Sequence, residues 1–209
     1  MTDQLEIITR KRRPAARPAE ILAAALELFT ERGFNATRLE DVASRAGLSK
    51  AAIYLYFKDK NSLLAALVQA TAGASIAAAG LQVSQHQGPV APLLRQLLGF
   101  MASRLQETRL PDLIKLVISE SRAHPEIGRS YLDNVIGKAL PLFQSLIERG
   151  VASGEFRAVD AGLTVKCLVG PMLLGAIWKS AFEPIGAEPI DIAALAAHDA
   201  DLILRALQP

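Results

Sequence analysis

Residues 37–60 read TRLEDVASRAGLSKAAIYLYFKDK, and the folding of this stretch decides the rest of the chain. Leu39, Val42, Ala43 and Ala46 recur at the i, i+3, i+4 spacing of one buried face, which predicts a helix over 39–45. Gly47 falls where a helix stops on a residue that takes positive φ without strain. Leu48 fills the corner, and Ser49 is placed to accept from the free amides of a second helix over 50–57. There Ile53 and Phe57 stand one turn apart facing inward, which leaves Lys50, Ala51, Tyr54 and Leu55 outward. Two helices, a glycine turn and a small-plus-aromatic outer face fit a helix-turn-helix whose second helix enters the major groove of DNA.

Each outward residue has a chemical reason to touch DNA. Ala51 and Ala52 are small enough to let a helix sink against base edges, where a methyl meets a thymine methyl. The hydroxyls of Tyr54 and Tyr56 can donate to phosphate oxygens. Lys58 and Lys60 bring charge to the backbone, displacing counterions and fixing register. Thr37 and Arg38, at the entry to the first helix, complete the candidate DNA-contacting set. Asp59 is a cap for a further helix beginning near residue 61. Spacing alone also admits a scaffold corner of three helices that never meets nucleic acid.

The run from Ala43 to Leu64, ASRAGLSKAAIYLYFKDKNSLL, resembles the signature of the TetR family of bacterial transcriptional regulators. An alanine-glycine corner, a serine cap, a small pair, a Tyr-x-(His or Tyr)-Phe group, a lysine and a Leu-Leu pair fall at the family's spacing. Upstream, AALELFTERGFNAT (24–37) is similar to the family's first helix and its Gly-Phe-x-x-Thr exit. Ala51-Ala52 stands where Gly-Thr or Gly-Ser is common, and Tyr56 where His is common. The resemblance implies an all-α protein with a helix-turn-helix head and a larger helical body that binds an effector and dimerises.

The rest of the chain is consistent with that division. With 209 residues, 51% of them hydrophobic, it can bury a sizeable core, and abundant alanine and leucine with few aromatics favour helices. Residues 1–60 carry 11 basic and 8 acidic side chains, leaving 12 and 13 for residues 61–209, so positive charge gathers in the first third. Residues 1–17 hold Arg10, Lys11, Arg12, Arg13 and Arg17 and read as a flexible basic arm, able to follow phosphates or a minor groove. Residues 18–64 form the expected head and 65–209 the body. The N-terminus lacks the apolar region of a signal peptide, and the most apolar stretch, Cys167 to Trp178, spans 12 residues between Lys166 and Lys179, too short for a bilayer. One cysteine cannot form an intrachain disulfide, which suits a cytoplasmic location, and Cys167 reads as a small buried hydrophobe.

Within the body, Leu81–Pro89 reads as a linker, after which apolar-periodic segments cover 90–107, 112–123, 126–153, 160–182 and 190–207, giving about nine helices in all and no sheet. The last two segments are apolar around much of their circumference, which suits burial in one subunit's core or, as the resemblance implies, the four-helix interface of a homodimer. Gly170 and Gly175 permit close approach there, and Pro171 bends the first helix. The resemblance places a small-molecule site among the preceding helices, with Phe100, Met101, Leu105, Leu113, Val117, Phe143, Met172 and Trp178 as candidate wall residues. The three histidines are scattered, so metal-ligand spacing is absent, and His124 sits before a proline at a helix junction. No GxGxxG, P-loop, GxSxG or HExxH occurs, so neither a cofactor nor catalytic residues are expected. The resemblance therefore implies a homodimeric, ligand-responsive transcriptional repressor, expected to bind a palindromic operator and to be released by a small molecule. The alternative is a helical small-molecule binding or adapter protein that does not bind DNA.

Overall fold

Two glycines in the left-handed region divide the head. Gly33 (φ 81°) ends the first helix and Gly47 (φ 66°) ends the second. A computed structural model describes residues 17–209, and among these no strand occurs. Arg10, Lys11, Arg12 and Arg13 of the expected basic arm lie outside the described residues, whereas Arg17 begins α1 and pairs with Glu20 at 3.2 Å.

Nine helical runs follow one another among the described residues. They are α1 (Arg17–Arg32), α2 (Leu39–Arg45), α3 (Lys50–Ile53), α4 (Lys60–Gln85), α5 (Val90–Glu107), α6 (Leu110–Glu120), α7 (125–152), α8 (Ala161–Ile185) and α9 (Ile192–Ala206). α4, α7 and α8 each contain one π-helical turn, at Gln69–Gly73, Leu132–Ile136 and Trp178–Phe182. A π turn sets the carbonyl of residue i−5 against residue i. At Gly137 a Cβ would stand 3.0 Å from the Leu132 carbonyl oxygen, so glycine relieves that crowding.

Helices 1 to 3 close around Ile21, Ala25, Leu28, Phe29, Phe34, Val42, Ala43 and Ile53. The same core continues without a break through Leu63, Leu64, Leu67 and Val68 of α4 to Leu113, Leu116 and Val117 of α6 and Ile127 of α7. Each fully buried leucine stabilises by about 2 kcal/mol, so the head is fastened to the body by apolar burial. In the body, α9 packs along α5 and α8, while α8 also meets α6 and α7. Gly175 lies against Ile192 of α9, and a Cβ there would be 3.4 Å from it, so this close approach is made within one subunit.

The linker differs from its sequence reading. Residues 81–85 remain helical, with Val83 buried, and only 86–89 connect α4 to α5. Arg149 donates to the Val83 and His86 carbonyls at 3.0 and 2.7 Å, closing the end of α4. The Glu155 carboxylate accepts from the Val90 and Ala91 amides at 2.6 and 2.8 Å, capping α5 from a distant loop. Cys167 also departs from expectation, being exposed on α8. Nor do Lys166 and Lys179 close off the apolar stretch between them, because α8 runs through both. By length and composition alone, α4 and α8 could each cross a membrane, with mean hydropathy 1.6 and 1.5.

Candidate nucleic-acid interface

The outward face of α3 is built by one cap and one buried anchor. The Ser49 hydroxyl accepts from the Ala52 amide at 3.2 Å, starting the helix where the sequence places it. Ile53 is fully buried and holds the opposite face down. The helix itself is shorter than the expected span to Phe57. It ends at Ile53 and tightens, with the Leu55 amide reaching the Ala52 carbonyl and the Tyr56 amide reaching that of Ile53. Phe57 is nonetheless buried, so the turn delivers it to the core that a longer helix would have reached. The Asp59 carboxylate then accepts from the Ser62 amide at 2.7 Å and caps α4.

Of the nine candidate DNA contacts, Arg38, Lys50, Ala51, Tyr54, Tyr56 and Lys58 are exposed and Ala52 is half-buried at the foot of the same surface. Two others are turned inward. Thr37 is 1% exposed, and its hydroxyl donates to the Gly33 and Leu28 carbonyls at 2.9 and 3.2 Å, so its side chain locks the α1–α2 turn. The Lys60 ammonium donates to the carbonyls of Phe34, Asn35 and Thr37 at 2.5, 3.2 and 3.0 Å and stands 4.3 Å from the centre of the Phe34 ring. Burial lowers its pKa. Its charge is spent inside the head, gathering the same turn from below. Sequence spacing cannot separate this lysine from Lys58, because the carbonyls it serves lie more than 20 residues away.

One residue at this surface escaped the sequence reading. Glu40, in the first turn of α2, stands 3.0 Å from the Lys50 ammonium and accepts from the Tyr54 hydroxyl at 3.1 Å. Its own backbone amide, then Lys50 and Tyr54, hold its carboxyl below the usual range. The same contact raises the pKa values of Lys50 and Tyr54. Further back, Arg45 bonds Glu27 and Glu31 of α1, both at 3.0 Å, and braces α2 from its solvent side.

The candidate effector residues are not gathered into one chamber. Leu113 and Val117 belong to the core shared with the head, Phe143 to a second cluster, and Leu105 and Met172 to a third, with Met101 between the last two. Phe100 is exposed, and the Trp178 indole donates to the Glu188 carbonyl at 2.8 Å beside Phe182. A groove of about 410 Å³ instead lies between the starts of α4 and α7, floored by Leu64, Val68 and Ile127. A second, of about 290 Å³, lies between α8 and the end of α9, beside Cys167. None of the eight lines either groove. His124 does occupy a helix junction, preceding α7. Among the described residues no three His, Cys, Asp or Glu side chains group as a metal site.

Comparison with known proteins places this geometry among regulators. Residues 21–67 match the family model for bacterial regulatory proteins of the tetR family, and residues 85–197 match that for the tetracyclin repressor-like C-terminal domain. The HTH-type transcriptional regulator RutR of Escherichia coli O157:H7 is 28% identical over 185 residues, covering 82% of this chain and 74% of RutR. Among solved structures, a TetR-family transcriptional regulator from Mesorhizobium loti MAFF303099 aligns over 95% of this chain and 100% of its own, with TM-score 0.73 and 23% identity. FadR from Bacillus subtilis, solved with stearoyl-CoA, aligns over 91% and 99%, with TM-score 0.74 and 21% identity. At those identities the two structures speak for the fold.

Proposed function

The chain belongs to the tetR family of bacterial regulatory proteins, DNA-binding transcriptional regulators and not enzymes, and from that premise we propose that it is a homodimeric repressor released from a palindromic operator by a small molecule. The observation that carries this reading is the exposed patch of Lys50, Ala51, Tyr54, Tyr56 and Lys58, presented on the capped helix α3 and the turn that follows it, with Arg38 exposed just before α2. These residues are the proposed DNA contacts. Alanine side chains admit the helix to the groove, and the lysines, arginine and tyrosine hydroxyls supply phosphate contacts. Residues 18–64 act as the DNA-binding head and 65–209 as the effector-binding and dimerising body.

Dimerisation is supported by what α8 and α9 leave uncovered. Leu163, Leu173 and Leu174 on α8 and Leu202 on α9 are 46–60% exposed, a leucine surface that a second copy of the same two helices would cover. Two heads must then present α3 to successive major grooves about 34–36 Å apart. Among the candidate wall residues, Met101, Leu105 and Met172 share one cluster between α5 and α8, bordered by Leu110 and Tyr131. An effector inserted there presses on Leu110 of α6 and Tyr131 of α7, which also border the head's core, and through α7 moves α4, to which the head is fixed by Leu63 and Leu64. A coupling of about 1–3 kcal/mol would change operator occupancy some 5–150-fold, and operator DNA would weaken effector binding equally.

The test is retention of duplex DNA flanking the chain's own gene. The wild-type protein is expected to shift it, and Lys50→Ala/Tyr54→Ala to lose the shift while keeping the wild-type helical circular dichroism. An unchanged shift in the double variant would overturn the assignment of the DNA face.

A further inference from the structure

A DNA-reading surface gains affinity from positive charge, yet the only lysine on α3 is already paired with a carboxylate. Glu40 lies on a different helix from Lys50 and Tyr54 and engages both, at 3.0 and 3.1 Å, through a single oxygen, Oε1. The shared oxygen fixes the ammonium and the phenol relative to each other as one unit. Lys50 remains largely exposed in this arrangement, so the pair orients it without hiding it.

We propose that Glu40 is a specificity-determining residue of the DNA interface, restraining Lys50 from sequence-independent phosphate contacts while it positions Lys50 and Tyr54 for the correct site. The inference rests on the DNA face assigned above. On arbitrary DNA, Lys50 must leave Glu40 to reach a phosphate, and the carboxylate left behind repels the same backbone. Affinity of this kind comes from counterion release by free cations, so the pairing subtracts from it. On the correct sequence α3 docks closely enough for base-edge contacts, and there Lys50 acts from its held position with ammonium protons to spare. The Tyr54 hydroxyl, its one proton given to Glu40, turns to a phosphate only by releasing that bond. The carboxylate thus lowers background binding more than specific binding, which widens the ratio between them.

The experiment uses the full-length protein and two probes. One is a random-sequence 30-base-pair duplex titrated by fluorescence anisotropy across a salt series. The other is a pool of duplexes with 20 randomised base pairs, carried through rounds of selection and sequenced. Glu40→Gln keeps the size of the side chain and removes its charge. It is expected to bind the random duplex about 8-fold tighter at 0.1 M salt and to steepen the slope of log K against log salt by about 0.9, the contribution of one added phosphate contact. Sequence enrichment in the selected pool should fall. Glu40→Ala should steepen the slope likewise, and Glu40→Gln/Lys50→Ala should lose the gain. An unchanged or shallower slope in both Glu40 variants, with melting curves like wild type, would overturn the proposal and leave the DNA face standing if Lys50→Ala alone weakens binding. If Lys50→Ala alone changes neither affinity nor slope, the DNA face and the role of Glu40 fall together.

Discussion

The imidazole of His124 stands edge-on to the ring of Phe34, with centroids 5.2 Å apart and planes at 65°. The two residues belong to body and head respectively, and His124 Nε2 also lies 2.7 Å from Asn35 Oδ1. Nearby, the Asn61 amide donates to Glu126 at 3.2 Å. The turn that leads into α2 is therefore held from the body side, not only through α4. Removing this contact with His124→Ala is expected to cost about 1–2 kcal/mol, the loss of an aromatic pair and a hydrogen bond. Amide hydrogen exchange at residues 34–37 should quicken while α9 is unaffected. Unchanged exchange in the turn would show that α4 alone orients the head.

Lys60 makes a sharper prediction, because it distinguishes a structural lysine from a DNA-contacting one. Lys60→Met keeps the stem and leaves three carbonyls without their donor. Chemical denaturation should report a loss of about 1–3 kcal/mol. Lys58→Ala removes an exposed charge whose partner, Asp59, stands 3.9 Å away and should leave the denaturation midpoint in place while reducing the salt slope of DNA binding by about 0.9. The reverse pattern would return Lys60 to the DNA-contacting set.

That contrast marks what the sequence could disclose. Ser49, Asp59, Gly33 and Gly47 were legible because caps and helix stops are local, decided by residues within one turn of the group they serve. The inward face of the head was legible for the same reason: Leu39, Val42, Ala43 and Ile53 keep helical spacing, while Phe57 reaches the core through the turn beyond α3. Lys60, Thr37 and Glu40 were not, since each acts on groups in another helix or turn and needs the tertiary arrangement first. The π turns inside α4, α7 and α8 carry no spacing signal, yet the expected segments 126–153 and 160–182 end within three residues of α7 and α8, and only α4 runs past its expected end, through 81–85. Cys167 was read as core because apolar periodicity does not say whether a face meets its own chain or a second copy.

Asp199 offers a test by pH. The side chain is buried on α9, its Oδ2 has no hydrogen-bond partner, and burial raises its pKa above the ordinary carboxylate value. A raised carboxyl pKa means the fold favours the neutral form. Its favourable contribution is present below the unfolded value and lost as pH rises through the folded one. Asp199→Asn should then stabilise at pH 7 by about 1 kcal/mol, raising the melting temperature by about 2–4 °C, with the difference fading towards pH 4. A lower melting temperature at pH 7 would mean that Asp199 is paired in the assembled protein.

The dimer reading is checked on α8. Leu174 is exposed on the leucine surface, and Leu174→Arg places a charge where the second copy would sit. Sedimentation should report a dimer for the wild type and a monomer for the variant, with helical content retained and DNA retention lost. A dimer that survives this substitution would move the interface elsewhere.

Two copies of α3 are expected to read one duplex together. Selection of wild-type protein on duplexes with 20 randomised base pairs, followed by sequencing, tests it most directly. The expected outcome is enrichment of an inverted repeat whose half-sites lie about one helical turn apart, about 10–10.5 base pairs between centres. Enrichment of a single asymmetric site, or no enrichment over the input pool, would contradict it.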